Sequence, residues 1–269
     1  MAGIESTLKK HQINKVIIRP LKEGGGESKK PIKGAYLFKK KYPNILLLAP
    51  KESGKTLAIY YILRECIDKD TEIFIASSTI KWDKTTRATI DKLKKTNSVV
   101  ESDPDAILDY IKDLEAKEEG EEGEEGEEKP KPRKKREIAP ERVFIFDDIS
   151  SHLRRQEIAN EILKHNRHFK SMVIISTQGM KDINPTAFKQ IQYILLFKRW
   201  TEEDLKHLYD KRAIHMPFNK FVKMYEEATK DQYIKDENGD DIWGAHNFLY
   251  CDYDDSEYRQ NFHEKIDDI

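Results

Sequence analysis

The stretch from Asn44 to Asp68 constrains this chain more than any other. Four apolar residues, Ile45-Leu46-Leu47-Leu48, lead into the loop Ala49-Pro50-Lys51-Glu52-Ser53-Gly54-Lys55-Thr56, and helix-forming sequence follows from about Lys55 to Asp68. Strand, small-residue loop, helix is the order in which backbone N–H groups at a helix start wrap an anion. The loop matches G-x-x-x-x-G-K-[ST] at every fixed position except the first, where Ala49 replaces glycine. In that pattern Gly54 lets the main chain approach closely, Lys55 neutralises β and γ phosphates, and Thr56 ligates Mg2+. Pro50, Lys51, Glu52, Ser53, Gly54, Lys55, Thr56 and Leu57 are therefore the candidate nucleotide-binding set, with ATP and Mg2+ as expected cofactors.

Further short apolar runs punctuate the chain at Glu72 to Ala76, Val143 to Phe146, Met172 to Ser176 and Tyr193 to Phe197. Apolar runs of this length, separated by helical or loop sequence, mark strands buried on both faces of a parallel sheet. The fold class is thus α/β, a mostly parallel central sheet flanked by helices, with a small helical and hairpin extension towards the C-terminus. Helical sequence is expected around Lys84 to Lys95. Another helix should start at Ser102 or Asp103 before Pro104 and end near Ala116, because an oxygen side chain caps free N–H groups and proline suits the first turn. Thr201 with Asp204 forms a capping pair for a helix to about Ala213, and Phe218, Phe221, Val222 and Tyr225 give the stripe of the next. Beyond it, Asn238-Gly239 reads as a turn and Asn247 to Tyr253 as a strand, forming a hairpin at the sheet edge.

The run Val143 to Phe146 ends in Asp147 and Asp148. Asp147 is the candidate metal residue beside Thr56, acting through the water shell of Mg2+. Asp148, one residue on, is placed to polarise an attacking water. About 90 residues separate this pair from the phosphate loop, which leaves room for a strand between theirs. A polar residue at the tip of such a strand points into the γ-phosphate site, and Gln178, in Ser176-Thr177-Gln178, is the candidate sensor. Arg154, Arg155, Arg167 and Arg199 are candidates for an arginine offered to a neighbour's nucleotide, Arg167 foremost. The catalytic set is then Asp148, Lys55, Gln178 and Arg167.

Charge divides the remaining chain. Residues 1 to 41 carry 11 Lys+Arg against 3 Glu, and the last 20 residues carry 7 Asp+Glu against 2 Lys+Arg, although the formal net charge is only -1. Such ends attract a polyanion or contact the complementary ends of neighbouring subunits. From Glu118 the chain reads EEGEEGEEGEE and then KPKPRKKR, where like-charge repulsion and scarce apolar residues predict a disordered insertion. The expected organisation is a flexible basic arm over 1–35, an ATPase domain over 36–253 with the insertion at 117–137, and an acidic tail over 254–269. Cys66 and Cys251 lack metal-ligand spacing, so a reducing intracellular compartment and no disulfide are expected. No apolar run is long enough to span a bilayer, so no membrane insertion is expected.

Taken together, LLLAPKESGKT at Leu46 to Thr56, VFIFDDIS at Val143 to Ser150 and NRHFKSMVIISTQ at Asn166 to Gln178 resemble the genome-packaging ATPases of poxviruses and other large DNA viruses, with relatives in virophages and virus-like transposons, within the FtsK/HerA superfamily. INPTAFKQIQYILLFKRW and NFLYCDY continue the likeness, which covers roughly residues 40 to 253. The resemblance implies a RecA-like P-loop core assembling as a homo-oligomeric ring that threads double-stranded DNA into a preformed capsid. Capsid or procapsid vertex proteins are implied partners, and the implied locations are the host cytoplasm, the virion or the nucleus. Lys55, Thr56, Asp147, Asp148 and Gln178 keep the roles argued above. Ala49 departs from the family's glycine, and Phe188 stands where many relatives have an arginine. The sequence leaves open another DNA motor, such as a helicase or mobilisation ATPase, and an ATP-binding switch or scaffold that pumps no DNA.

Overall fold

The structure is a computed structural model that describes residues 30–77, 84–120, 137–149, 158–230, 232–235 and 241–266. The expected arm, apart from its last residues, lies outside these, as do most of the charged insertion and both Arg154 and Arg155.

The strands are β1 (Asn44–Leu48), β2 (Glu72–Ser77), β3 (Val99–Glu101), β4 (Arg142–Asp147), β5 (Ser171–Thr177), β6 (Tyr193–Phe197), β7 (Gln232–Lys235), β8 (Asp241–Ala245), β9 (Phe248–Asp252), β10 (Glu257–Gln260) and β11 (Glu264–Lys265). The helices are α1 (Lys55–Cys66), α2 (Lys84–Leu93), α3 (Pro104–Gly120), α4 (Ile158–His165), α5 (Pro185–Lys189), α6 (Glu202–Arg212) and α7 (Phe218–Ala228). Nine strands form one sheet in the order β11-β10-β9-β6-β1-β5-β4-β2-β3. The six strands from β6 to β3 are parallel, and β9, β10 and β11 extend the sheet antiparallel. The expected α/β class with a mostly parallel sheet is the one observed.

Successive strand residues point to opposite faces, and the core divides accordingly. Leu46, Phe144, Val173, Ile175 and Ile194 pack on one side with helices α3 to α7. Ile45, Leu47, Val143, Ile145, Ile174 and Leu195 pack on the other with α1 and α2. Burial on both faces is why these strands read as continuous apolar runs rather than alternating ones. Each such side chain contributes about 1.5–3 kcal/mol when fully buried.

Local signals hold at several helix ends. Asp103 accepts from the Ala106 N–H at 2.9 Å at the start of α3. Thr201 and Asp204 form a reciprocal capping box on α6, and Ala213 closes that helix in the left-handed region. Phe221 and Tyr225 are buried on α7 as the stripe requires, while Met224 and Ala228 complete its inner face.

Three expected boundaries move. Pro31 and Lys33 exchange backbone hydrogen bonds with Ile138, so the folded unit begins before residue 36. Helix α3 continues to Gly120, past the expected start of the insertion at 117. The acidic segment after 253 is sheet rather than tail: β10 pairs with β9, and Lys39 binds Asp255 at 2.6 Å and Glu257 at 2.8 Å. Asp254, Asp255 and Glu257 are tethered because Lys39 and Lys40, before β1, lie beside them. The hairpin also differs from expectation. Asn238-Gly239 lies outside the described residues; β7 and β8 on either side of it form a separate two-stranded sheet, whereas Phe248–Asp252 joins the main sheet against β6.

Candidate functional site

The phosphate-loop strand β1 sits between β6 and β5, and β5 separates it from the acid strand β4. Register fixes what meets at their ends. Leu48 lies opposite Thr177, Ser176 opposite Asp147, and Asp147 opposite Ser77. The Ala49 N–H still donates to the Thr177 carbonyl at 3.0 Å, so β1 and β5 stay paired up to the loop. Ala49 is fully buried and is absent from the described residues with positive φ, so a methyl group is accommodated where the pattern has glycine.

The loop then turns through two left-handed residues, Glu52 at φ 64° and Gly54 at φ 86°. A Cβ on Gly54 would lie 2.5 Å from the His246 ring, so glycine is needed here for both conformation and space. Gly54 is also the N-cap of α1 and supplies no capping side chain, which leaves the first-turn N–H groups of α1 for an anionic ligand. Lys51 and Glu52 are exposed, Pro50, Ser53, Lys55 and Thr56 half-buried, and Leu57 is an exposed apolar side chain on the first turn.

Strand β4 ends at Asp147, and Asp148 turns away from it in the left-handed conformation at φ 54°. Aspartate tolerates this region better than most residues, and strained backbone of this kind clusters at functional sites. The turn brings the Asp148 carboxylate onto the Lys55 ammonium, which also lies 3.3 Å from Asp147 Oδ1. The Gln178 side-chain amide donates to Asp148 at 3.0 Å. Four of the expected functional residues, drawn from the ends of three adjacent strands, therefore share one cluster.

The cluster suits a hard cation. Asp147 is 5 % exposed, and its Oδ1 accepts no hydrogen bond among the described residues, facing the Lys55 ammonium at 3.3 Å. Ser77 donates to Asp147 Oδ2 at 3.3 Å, and Thr56, Ser77, Thr86 and Asp147 form the polar edge of a cavity of about 30 Å3 that is otherwise lined mainly by isoleucine and leucine side chains. Hydroxyl and carboxylate oxygens with few protein ligands are the donor set that Mg2+ takes beside substrate phosphates. Thr56 and Asp147, the two candidate metal residues, line this cavity together.

Arg167 is not part of this cluster. It is exposed in the turn before β5, at the far end of that strand from Gln178, roughly 23 Å away at about 3.3 Å per strand residue. Arg199 follows β6 at the phosphate-loop edge, exposed, with φ 89°. Phe188 is buried in the core beneath the Arg212 guanidinium, 5.4 Å from the ring centroid.

Three residues around the site escaped sequence reasoning. Ser77 supports Asp147, and its only signal is its place at the end of a strand. Trp200 donates from Nε1 to the Leu48 carbonyl at 3.3 Å and from its N–H to the Tyr225 hydroxyl, bracing the strand end that carries the loop. His246 packs on Gly54 from the connection between β8 and β9, and burial holds its pKa below the usual histidine value. No local pattern around residue 246 announces that contact.

The architecture and the convergence of loop, acids and sensor define a P-loop nucleoside triphosphatase fold. The genome packaging NTPase B204 from Sulfolobus turreted icosahedral virus 2, in complex with AMP, is similar to this chain at a TM-score of 0.52 and 16 % identity, over 82 % of this chain and 98 % of that one. The same protein in complex with AMPPCP gives 0.50 and 17 %, over 82 % and 98 %. The cytoplasmic domain of the Thermomonospora curvata Type VII secretion ATPase EccC gives 0.48 and 9 %, over 79 % of this chain and 24 % of that one. No protein-family model matches the sequence, and no curated protein does.

Proposed function

We propose that this chain is an ATP-driven translocase of double-stranded DNA that packages a viral genome into a capsid, working as a homo-oligomeric ring. The observation that carries the ATPase reading is the meeting of Lys55, Asp147, Asp148 and Gln178 at adjoining strand ends. Lys55 is held by the two acids. A triphosphate seated on the α1 N-terminus draws the ammonium to its β and γ oxygens, which releases the Asp148 carboxylate to accept a proton from water. Gln178, bonded to that carboxylate, registers the exchange. Thr56 and Asp147 are the residues that would hold Mg2+, which would supply charge neutralisation for the phosphates.

The packaging reading rests on the motif series from Leu46 to Gln178 and on the fold shared with a genome packaging NTPase. In a ring, an exposed Arg167 serves a neighbour's nucleotide, lysine-rich segments follow the DNA backbone without reading bases, and a capsid or procapsid vertex receives the motor. No helix among the described residues is long and apolar enough to cross a membrane. The test is the ATPase rate with and without duplex DNA, measured alongside particle mass in nucleotide. DNA-stimulated turnover by a ring supports the reading. Hydrolysis indifferent to DNA favours a nucleotide-gated switch or scaffold instead.

A further inference from the structure

A second cavity, of about 280 Å3, lies between the loop following β5 and helix α6, lined by Lys181, Ile183, Asn184, Pro185, His207 and Lys211. Its described lining holds two lysines and a histidine and no acid. Neither lysine has a carboxylate within ion-pair distance among the described residues, although Lys211 lies 5.8 Å from the Phe188 ring centroid. Both are exposed. His207 Nε2 is buried and has no hydrogen-bond partner. Burial, followed by the charges of Lys211 and Lys181, lowers the His207 pKa, opposed by Asp204 and Asp210. Two exposed ammonium groups without an ion-pair partner among the described residues, on one cavity whose lining holds no acid, are the makings of an anion site.

We propose that this cavity receives a backbone phosphate of double-stranded DNA, with Lys181 and Lys211 as its counter-charges and His207 in its wall. The choice of DNA rests on the motor reading above. Lysine is suited to the task, because a flexible point charge neutralises a phosphate in any sequence context. Position gives the site a consequence. Lys181 is three residues beyond Gln178 on a tightly tied turn: Thr177 Oγ1 donates to Asp182 Oδ2 at 2.6 Å, and the Asp182 N–H donates to the Gly179 carbonyl at 3.2 Å. A phosphate gripped by Lys181 therefore pulls on the turn that carries the amide bonded to Asp148, linking DNA engagement to hydrolysis.

The test compares the full chain with a Lys181→Gln/Lys211→Gln double variant and with His207→Gln, measuring duplex DNA affinity over a salt series and ATPase rate with and without DNA. The double variant should bind DNA about tenfold more weakly, with the slope of log affinity against log salt reduced by about 1–2. Its DNA-free ATPase rate should stay near that of the parent chain while stimulation by DNA is lost. His207→Gln should weaken DNA binding less and leave the salt slope close to the parent value. An unchanged slope and unchanged stimulation in the double variant would overturn the site and leave the motor reading standing. A parent chain that binds no duplex DNA at low salt would overturn both. Titration with inorganic phosphate alone, followed by the His207 ring resonances, separates the sources: a response to phosphate in a chain whose DNA binding ignores both lysines would make the occupant a free anion and overturn the proposal.

Discussion

Lys55 and Asp148, 93 positions apart in the chain, form an ion pair with both side chains largely buried. The same ammonium must neutralise the phosphates, so the ligand competes with Asp148 for it. Asp148→Asn should then bind ATP at least as tightly as the parent chain, because the competitor has lost its charge. Hydrolysis should fall by about 10²–10⁴, the usual contribution of a positioned general base. Equilibrium binding with single-turnover hydrolysis checks both halves, and turnover at the parent rate would move the base elsewhere.

Lys55→Ala should abolish nucleotide binding or turnover. It leaves Asp147 and Asp148 without their shared cation, so the ligand-free protein should also lose stability, by about 3–5 kcal/mol if the pair behaves as buried pairs do. Denaturant unfolding without nucleotide measures the second effect. Unchanged ATPase kinetics would refute the site.

Gln178→Ala removes the amide bonded to Asp148 at 3.0 Å and leaves every residue of the phosphate loop in place. ATP affinity should hold within a few-fold, while kcat drops by more than tenfold and any stimulation by DNA disappears. A change confined to KM would make Gln178 a binding residue instead.

Gly54→Ala meets two obstacles, a left-handed backbone and the His246 ring 2.5 Å from the new Cβ. The backbone part alone costs about 1–2 kcal/mol. Adding His246→Ala should recover part of the lost stability, since it clears the ring and leaves φ unchanged. A thermal-unfolding double-mutant cycle reads the coupling, and strictly additive effects would mean that the ring does not press on the loop.

The Arg259 guanidinium, with the Lys39 ammonium behind it, lowers the Glu257 carboxyl from 4.5 to about 2. Its folded pKa lies below its unfolded one, so its contribution is present above about pH 4.5 and is lost as pH falls towards 2. Glu257→Gln should flatten that part of the stability curve and leave neutral-pH ATPase activity alone. An identical acid-unfolding profile for the variant would show that the ion pair with Lys39 and Arg259 does not hold β10 in place.

The parts legible along the chain are those whose signals are local. Strands buried on both faces must be continuously apolar, so β1, β2, β4, β5 and β6 were visible as runs. A loop that wraps phosphate needs Gly54, Lys55 and Thr56 in consecutive order, and side-chain caps such as Asp103 and Thr201 lie within three residues of what they cap. Short elements were hidden: β3 has three residues, β11 two and α5 five, too few for a period to show. The gap of about 90 residues already left room for a strand between those of the loop and the acid pair, with Gln178 at its tip; tertiary packing fixed β5 as that strand and set the Gln178 amide on the Asp148 carboxylate. It also turned the acidic C-terminal segment into sheet edge, pressed His246 against Gly54, and left Lys181 and Lys211 facing one cavity without acids. Those relationships join residues tens to hundreds of positions apart, and they exist only once the sheet order and the helix packing have brought the strand ends together.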